Sequence, residues 1–183
     1  MKVLIVVDMQ RDFVTGALGT EEARKIVPKV FEKIRWARMN GYRIIFTQDT
    51  HNENYLETPE GITLPVPHCI KGTEGHEIIP ELVGDIENPD ICQKTTFGSK
   101  SLCAELAFEY FIAGHEFDEV ILIGVCTDIC VVTNALLLKT DMPGIPITVD
   151  ASCCAGTTPE MHQKALDVMR SCQINITNGD EKE

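Results

Sequence analysis

A thiol, a carboxylate and an ammonium form the first set of residues able to do chemistry together. Cys130 closes the stretch Gly124-Val125-Cys126-Thr127-Asp128-Ile129-Cys130, which reads as a turn from a strand into a helix. A cysteine in the first turn of a helix faces the positive end of its dipole, which favours thiolate. The amide N–H groups of such a turn can hold a developing oxyanion. Asp8 follows the apolar run 3–7 and is a candidate proton acceptor, since a carboxylate partly withdrawn from water becomes more basic. Lys94 ends the weaker run 91–94 and can balance charge between the other two. Taken singly, a cysteine in an apolar helix is more often core, and an aspartate after a strand is more often a turn. Their common placement at strand ends is what points to chemistry.

The second set is Asp49, His51 and His68. In extended chain, residues two apart point to the same side, so Asp49-Thr50-His51 presents a carboxylate and an imidazole to one point. His68 lies at the far end of a proline-rich loop that can fold back to add a third ligand. One carboxylate and two imidazoles suit Zn²⁺, Fe²⁺ or Mn²⁺, with Glu60 as a further oxygen donor. His76, His115 and His162 have no comparable context and read as surface or capping residues. Cys153-Cys154 reads as core or turn residues, with a strained vicinal disulfide as the alternative, and the closeness of Cys126 to Cys130 separately allows a redox-sensing pair.

These residues need elements to carry them. Runs rich in β-branched residues at 3–7, 43–47, 120–123 and 145–149, with weaker ones at 91–94 and 173–177, predict strands. Apolar residues at three- and four-residue steps predict a helix over 21–39, capped by Thr20 and ended by Gly41. Further helices are expected over 99–113, 127–139 and 158–171, and a short one over 77–83. The alternation predicts a parallel α/β sheet with helices on both faces. Ligands of such sheets bind beyond the carboxyl ends of the strands, where Asp8, Asp49, His51, Lys94 and Cys130 all fall. The exception to compactness is 50–90, with five prolines, and a connection of that length is usually functional.

The chain has 183 residues, 28 acidic and 16 basic, for a net charge of −12. This fits one domain over 1–183 and argues against a nucleic-acid or anionic-membrane surface, both of which want clustered positive charge. No apolar run reaches the length of a membrane span. The five apolar residues before Asp8 are too few for a signal peptide, so a cytosolic protein with reduced thiols is expected. The acidic run 179–183 reads as a solvated tail.

Two stretches carry a family resemblance. Val6-Val7-Asp8-Met9-Gln10-Arg11-Asp12-Phe13 resembles the opening motif of the isochorismatase-like cysteine hydrolases, and Gly124 to Val131 resembles their nucleophile motif. The likeness spans about 2–176. It implies a three-layer α/β/α fold of Rossmann type with a six-stranded parallel sheet. It also implies a triad of Asp8, Lys94 and Cys130, and a cis peptide at Val125–Cys126 that would turn the Cys126 and Cys130 amides toward the substrate oxygen. Phe13 and Val125 would line the substrate pocket. Within the family, Asp49-Thr50-His51 and the stretch 67–75 are similar to the metal region of the nicotinamidase branch. That branch implies a divalent metal, zinc first, that holds the ring nitrogen of nicotinamide, and a homo-oligomer. The family's aromatic residue before the last metal histidine is missing here, where the chain reads Leu64-Pro65-Val66-Pro67. The leading expectation is therefore an amidase converting nicotinamide to nicotinate and ammonia. The alternatives are a hydrolase of another small amide or ureido compound, and a redox-responsive binding protein without turnover.

Overall fold

The computed structural model describes residues 1–84 and 86–179; most of the expected acidic tail lies outside them. The elements in chain order begin with strand β1 (Lys2–Val7), helix α1 (Arg11–Val14), helix α2 (Glu21–Met39) and strand β2 (Tyr42–Asp49). Helices α3 (Pro59–Thr63) and α4 (Pro80–Val83) lie in the long connection to β3 (Asp90–Lys94). Then come α5 (Lys100–Phe111), β4 (Glu119–Val125), a π-helical turn at Thr127–Val131, α6 (Val132–Asp141), β5 (Ile147–Ala155), α7 (Pro159–Ser171) and β6 (Asn175–Thr177).

The six strands form one sheet in the order β3-β2-β1-β4-β5-β6, and every pairing is parallel. Both faces are covered, and the strand alternation shows how. Val3, Ile5 and Val7 of β1 pack with α5, α6 and α7, whereas Leu4 and Val6 pack with α2 and α4. A strand buried on both sides has no place for polar residues along its length, so they gather at its end. Helix α2 forms as its periodicity predicts. Thr20 Oγ1 accepts the Ala23 N–H at 3.0 Å, and Ala23, Ile26, Val30, Ile34 and Ala37 are its buried face. Each fully buried aliphatic side chain there contributes about 1.5–3 kcal/mol. Gly41, with φ +73°, ends the helix as expected.

Chain order reverses between β1 and β4, the point where such sheets open a crevice for ligands. The two strands approach closely there. Gly124 pairs with Val7 and has φ +117°, and a Cβ on it would collide with the Val7 carbonyl. The chain must part immediately afterwards, leaving Asp8 on one side and the turn to Cys130 on the other.

Two expectations about elements need correction. The segment 77–83 is helical only over Pro80–Val83; before it, Ile78 pairs antiparallel with Gln10. The strand expected at 145–149 runs instead over Ile147–Ala155, so Cys153 and Cys154 are buried strand residues rather than a turn. It continues past Asp150 because β5 bulges against β4: Leu122 pairs with Val149, but Gly124 pairs with Cys154. Among the described residues, no helix is long and apolar enough to cross a membrane.

Candidate active site

Asp8 sits one residue beyond β1, in a left-handed conformation with φ +48°. For a non-glycine residue that backbone costs of order 1–3 kcal/mol, and it holds the side chain over the sheet edge. The residue is fully buried. The Thr47 hydroxyl donates to Asp8 Oδ1 at 2.6 Å, and the Asp8 N–H donates to Thr47 Oγ1 at 3.2 Å. Lys94 Nζ lies 2.7 Å from Asp8 Oδ2 and forms a buried ion pair with it. Burial raises the pKa of Asp8 against the pull of Lys94, which makes it a stronger base than a surface aspartate.

Lys94 is buried rather than solvated. Its ammonium donates to Asp49 Oδ1 at 3.2 Å and lies 3.8 Å from Cys130 Sγ. Burial would lower its pKa, but the charges of Asp8, Cys130 and Asp49 outweigh that and hold it protonated. A carboxylate, an ammonium and a sulfur therefore share one hollow, as the strand ends predict.

Cys130 departs from expectation in one respect. A helix dipole predicts a thiolate, but the residue lies in a π turn in which Val131 N–H donates to Cys126 O at 3.1 Å. Burial, and then the charge of Asp8, push its thiol well above the ordinary range, and the opposing pull of Lys94 is smaller. The resting form is the neutral thiol, so its chemistry requires a proton acceptor. Asn134, fully buried in α6, fixes the turn from behind. It donates to Cys130 O at 2.8 Å and accepts the Ser99 N–H at 2.9 Å. On the other side, the Asp128 carboxylate accepts the Thr157 N–H at 2.8 Å and its hydroxyl at 2.6 Å. The Val125–Cys126 peptide is cis.

Asp49, His51 and His68 also come together. One ligand atom from each lies within 4.8 Å of the others, and all three residues are buried. His51 Nε2 is 2.9 Å from Asp49 Oδ2. His68 Nδ1 donates to Val66 O at 2.8 Å, which leaves the Nε2 lone pair facing Asp49. This donor set fits a divalent transition ion. Glu60 stands beside it, its carboxylate 3.9 Å from His51 and 3.8 Å from His68. Burial would raise the pKa of Asp49, but His51 and Lys94 outweigh it and lower it, so the carboxylate is ready as a ligand. The loop reaches back through backbone bonds: His51 N–H donates to Cys69 O at 3.0 Å, and Lys71 N–H to His51 O at 2.8 Å.

Cys130 of the first set and Asp49 and His68 of the second open onto one cavity of about 290 Å³, also lined by Phe13, Leu64, Phe97, Ile129 and Cys126. Phe13 lines it as expected, but Val125 does not. Val125 is the last residue of β4, and its side chain alternates to the α2 face, into the core. Sequence reasoning missed Thr47, Gln10, Asn134 and Tyr55. Tyr55 packs edge-on against both metal-site imidazoles, at 4.7 Å from His51 and 4.9 Å from His68 between ring centroids. His76 is buried and hydrogen-bonded rather than at the surface, because the chain at 74–78 packs onto the ends of β1 and β2. His162 is half-buried, its Nδ1 lying 2.8 Å from Thr127 Oγ1.

The chain and its fold are similar to known proteins. Residues 2–181 match the isochorismatase domain. The chain is 26% identical over 203 residues to the nicotinamidase of Escherichia coli (strain K12), covering 96% of this chain and 93% of that one. The fold superposes on the pyrazinamidase of Pyrococcus horikoshii in complex with zinc with a TM-score of 0.80 and 31% identity, over 97% of this chain and 99% of that one. For the N-carbamoylsarcosine amidase of Thermoplasma acidophilum the TM-score is 0.76 and the identity 25%, over 100% and 98% of the two chains.

Proposed function

The chain belongs to the isochorismatase family, and on that premise we propose that it is a metal-dependent amidase hydrolysing nicotinamide to nicotinate and ammonia. The observation that carries the reading is the single small cavity onto which Cys130 and the metal-site residues Asp49 and His68 both open. The nicotinamidase and pyrazinamidase relatives support the same class of substrate.

Asp8 takes the thiol proton of Cys130, and the sulfur attacks the amide carbon. The Cys126 and Cys130 amides hold the oxyanion, and Lys94 steadies the negative sulfur before attack. Asp8 returns the proton to the departing ammonia, leaving a thioester on Cys130. Asp8 then takes a proton from the attacking water, the acid leaves, and the thiol is restored. Covalent catalysis thus divides one hard step into two easier ones. A divalent ion, zinc first, held by Asp49, His51 and His68 with Glu60 beside them, supplies a Lewis-acidic partner for a ring nitrogen.

The nicotinamidase and pyrazinamidase relatives favour a neutral ring amide over a carbamoyl amino acid. The test is ammonia release by purified protein from nicotinamide, pyrazinamide and N-carbamoylsarcosine, beside elemental analysis. Turnover of the carbamoyl acid alone would refute the substrate assignment. A protein fully active without bound metal would refute the cofactor role.

A further inference from the structure

The residues around the metal site are held by an arrangement that the proposed chemistry does not use. His76 is buried, and its Nε2 lies 2.9 Å from Thr50 Oγ1, between the ligands Asp49 and His51. The Thr50 hydroxyl donates its one proton to Gln48 O at 3.0 Å, so it meets His76 with a lone pair. Nε2 of His76 therefore carries the hydrogen and donates it. The carbonyl of His76 accepts from Gln10 Nε2 at 2.9 Å and from Gln48 Nε2 at 2.9 Å. Gln10 is fully buried. It donates its other amide hydrogen to Asp49 O at 2.8 Å and accepts the Asp49 N–H at 2.7 Å. Gln10 thus ties Asp49, the last residue of β2, to the His76 carbonyl in the connection that carries His51 and His68.

Resting on the metal reading above, we propose that His76 is a positioning residue for the metal site, its imidazole acting through the Thr50 hydroxyl to hold the flanking ligands Asp49 and His51 at binding distance of His68. It touches neither metal nor substrate. Partners one bond beyond the ligands typically change metal affinity by 10- to 100-fold. A purely space-filling imidazole would instead cost thermal stability and leave affinity alone.

The experiment measures the zinc dissociation constant by competition with a chromophoric chelator, and the thermal midpoint of the metal-stripped protein, for the unaltered chain, His76→Ala, Thr50→Val and the double variant. Thr50→Val removes only the hydroxyl and guards against a His76→Ala protein that fails to fold. We expect zinc affinity to fall at least tenfold in each single variant. The double variant should be no weaker than Thr50→Val, because losing the hydroxyl already removes the link to the imidazole. The proposal is overturned if Thr50→Val binds zinc as the unaltered chain does, or if the midpoint falls while affinity stays unchanged. An unaltered chain that takes up no zinc, manganese or iron overturns the metal reading itself.

Discussion

Thr47→Val isolates the tuning of the proposed base. The Thr47 hydroxyl is the one side-chain hydrogen bond on Asp8 Oδ1, at 2.6 Å, and both residues are fully buried. Valine keeps the shape and removes the donor, together with the longer contact to the Asp8 N–H at 3.2 Å, whose loss bears on stability more than on the carboxylate's ionisation. A hydrogen bond to a charged group contributes about 1.5–3 kcal/mol, and it favours the ionised form. At about 1.4 kcal/mol per pH unit, its loss moves the Asp8 titration upward by roughly one to two units. The sign follows from the role. Asp8 must be unprotonated to take the thiol proton, so activity is lost as pH falls through its pKa. Burial already places that point above an ordinary aspartate, and the variant should lose activity at higher pH still. The assay is the pH profile of kcat/KM for ammonia release, which reports ionisations of the free enzyme. Well above the acid limb, the variant should approach the parent. An acid limb at the parent's position, whatever the plateau, would refute Asp8 as the titrating base.

Three other changes test separate parts of the account. Cys130→Ala should abolish ammonia release while leaving the fold and metal content intact; measurable turnover would remove the thioester. Asp150→Asn should cost about 1–3 kcal/mol at neutral pH by breaking the buried contact with Lys33 at 2.8 Å. Burial raises the Asp150 pKa, but Lys33, Asn178 and Ser152 more than offset this and lower it. That stabilisation is complete above the ordinary aspartate pKa and fades as pH falls through the depressed one, so urea midpoints of parent and variant should converge in acid. Gly124→Ala places a Cβ against the Val7 carbonyl at φ +117° and should cost about 3 kcal/mol or more; a variant with the parent's thermal midpoint would contradict the close approach of β1 and β4.

Much of the site was legible because strand ends are legible. Apolar runs mark the strands, parallel order places their ends on one edge, and Asp8, Asp49, Lys94 and Cys130 follow from that alone. The supporting residues were less visible because their partners are far along the chain: Thr47 lies 39 residues from Asp8, and Thr50 lies 26 from His76. No local period encodes such contacts. Two signals were available even so. Gln10 stands among residues that must be buried, and Asn134 interrupts an apolar helix, where a buried amide has to find partners. The true length of β5 was hidden because Asp150 looks like the end of a strand, yet Lys33, Ser152 and Asn178 satisfy its carboxylate within the fold. Val125 was misplaced because β4 keeps its alternation to the last residue.

The two backbone bonds between His51 and the chain at 69–71 make the intervening stretch a replaceable cassette. Its anchors are peptide groups, indifferent to side-chain identity, so exposed positions of 52–67 can be recoded, provided Glu60, the Tyr55 ring, the Thr58 cap and Gly61, where a Cβ would strike Tyr55 O, are kept. Leu64 sits within that stretch and on the cavity wall. Libraries confined to it would reshape the amide's surroundings while the acid, the ammonium and the sulfur stay where the sheet puts them.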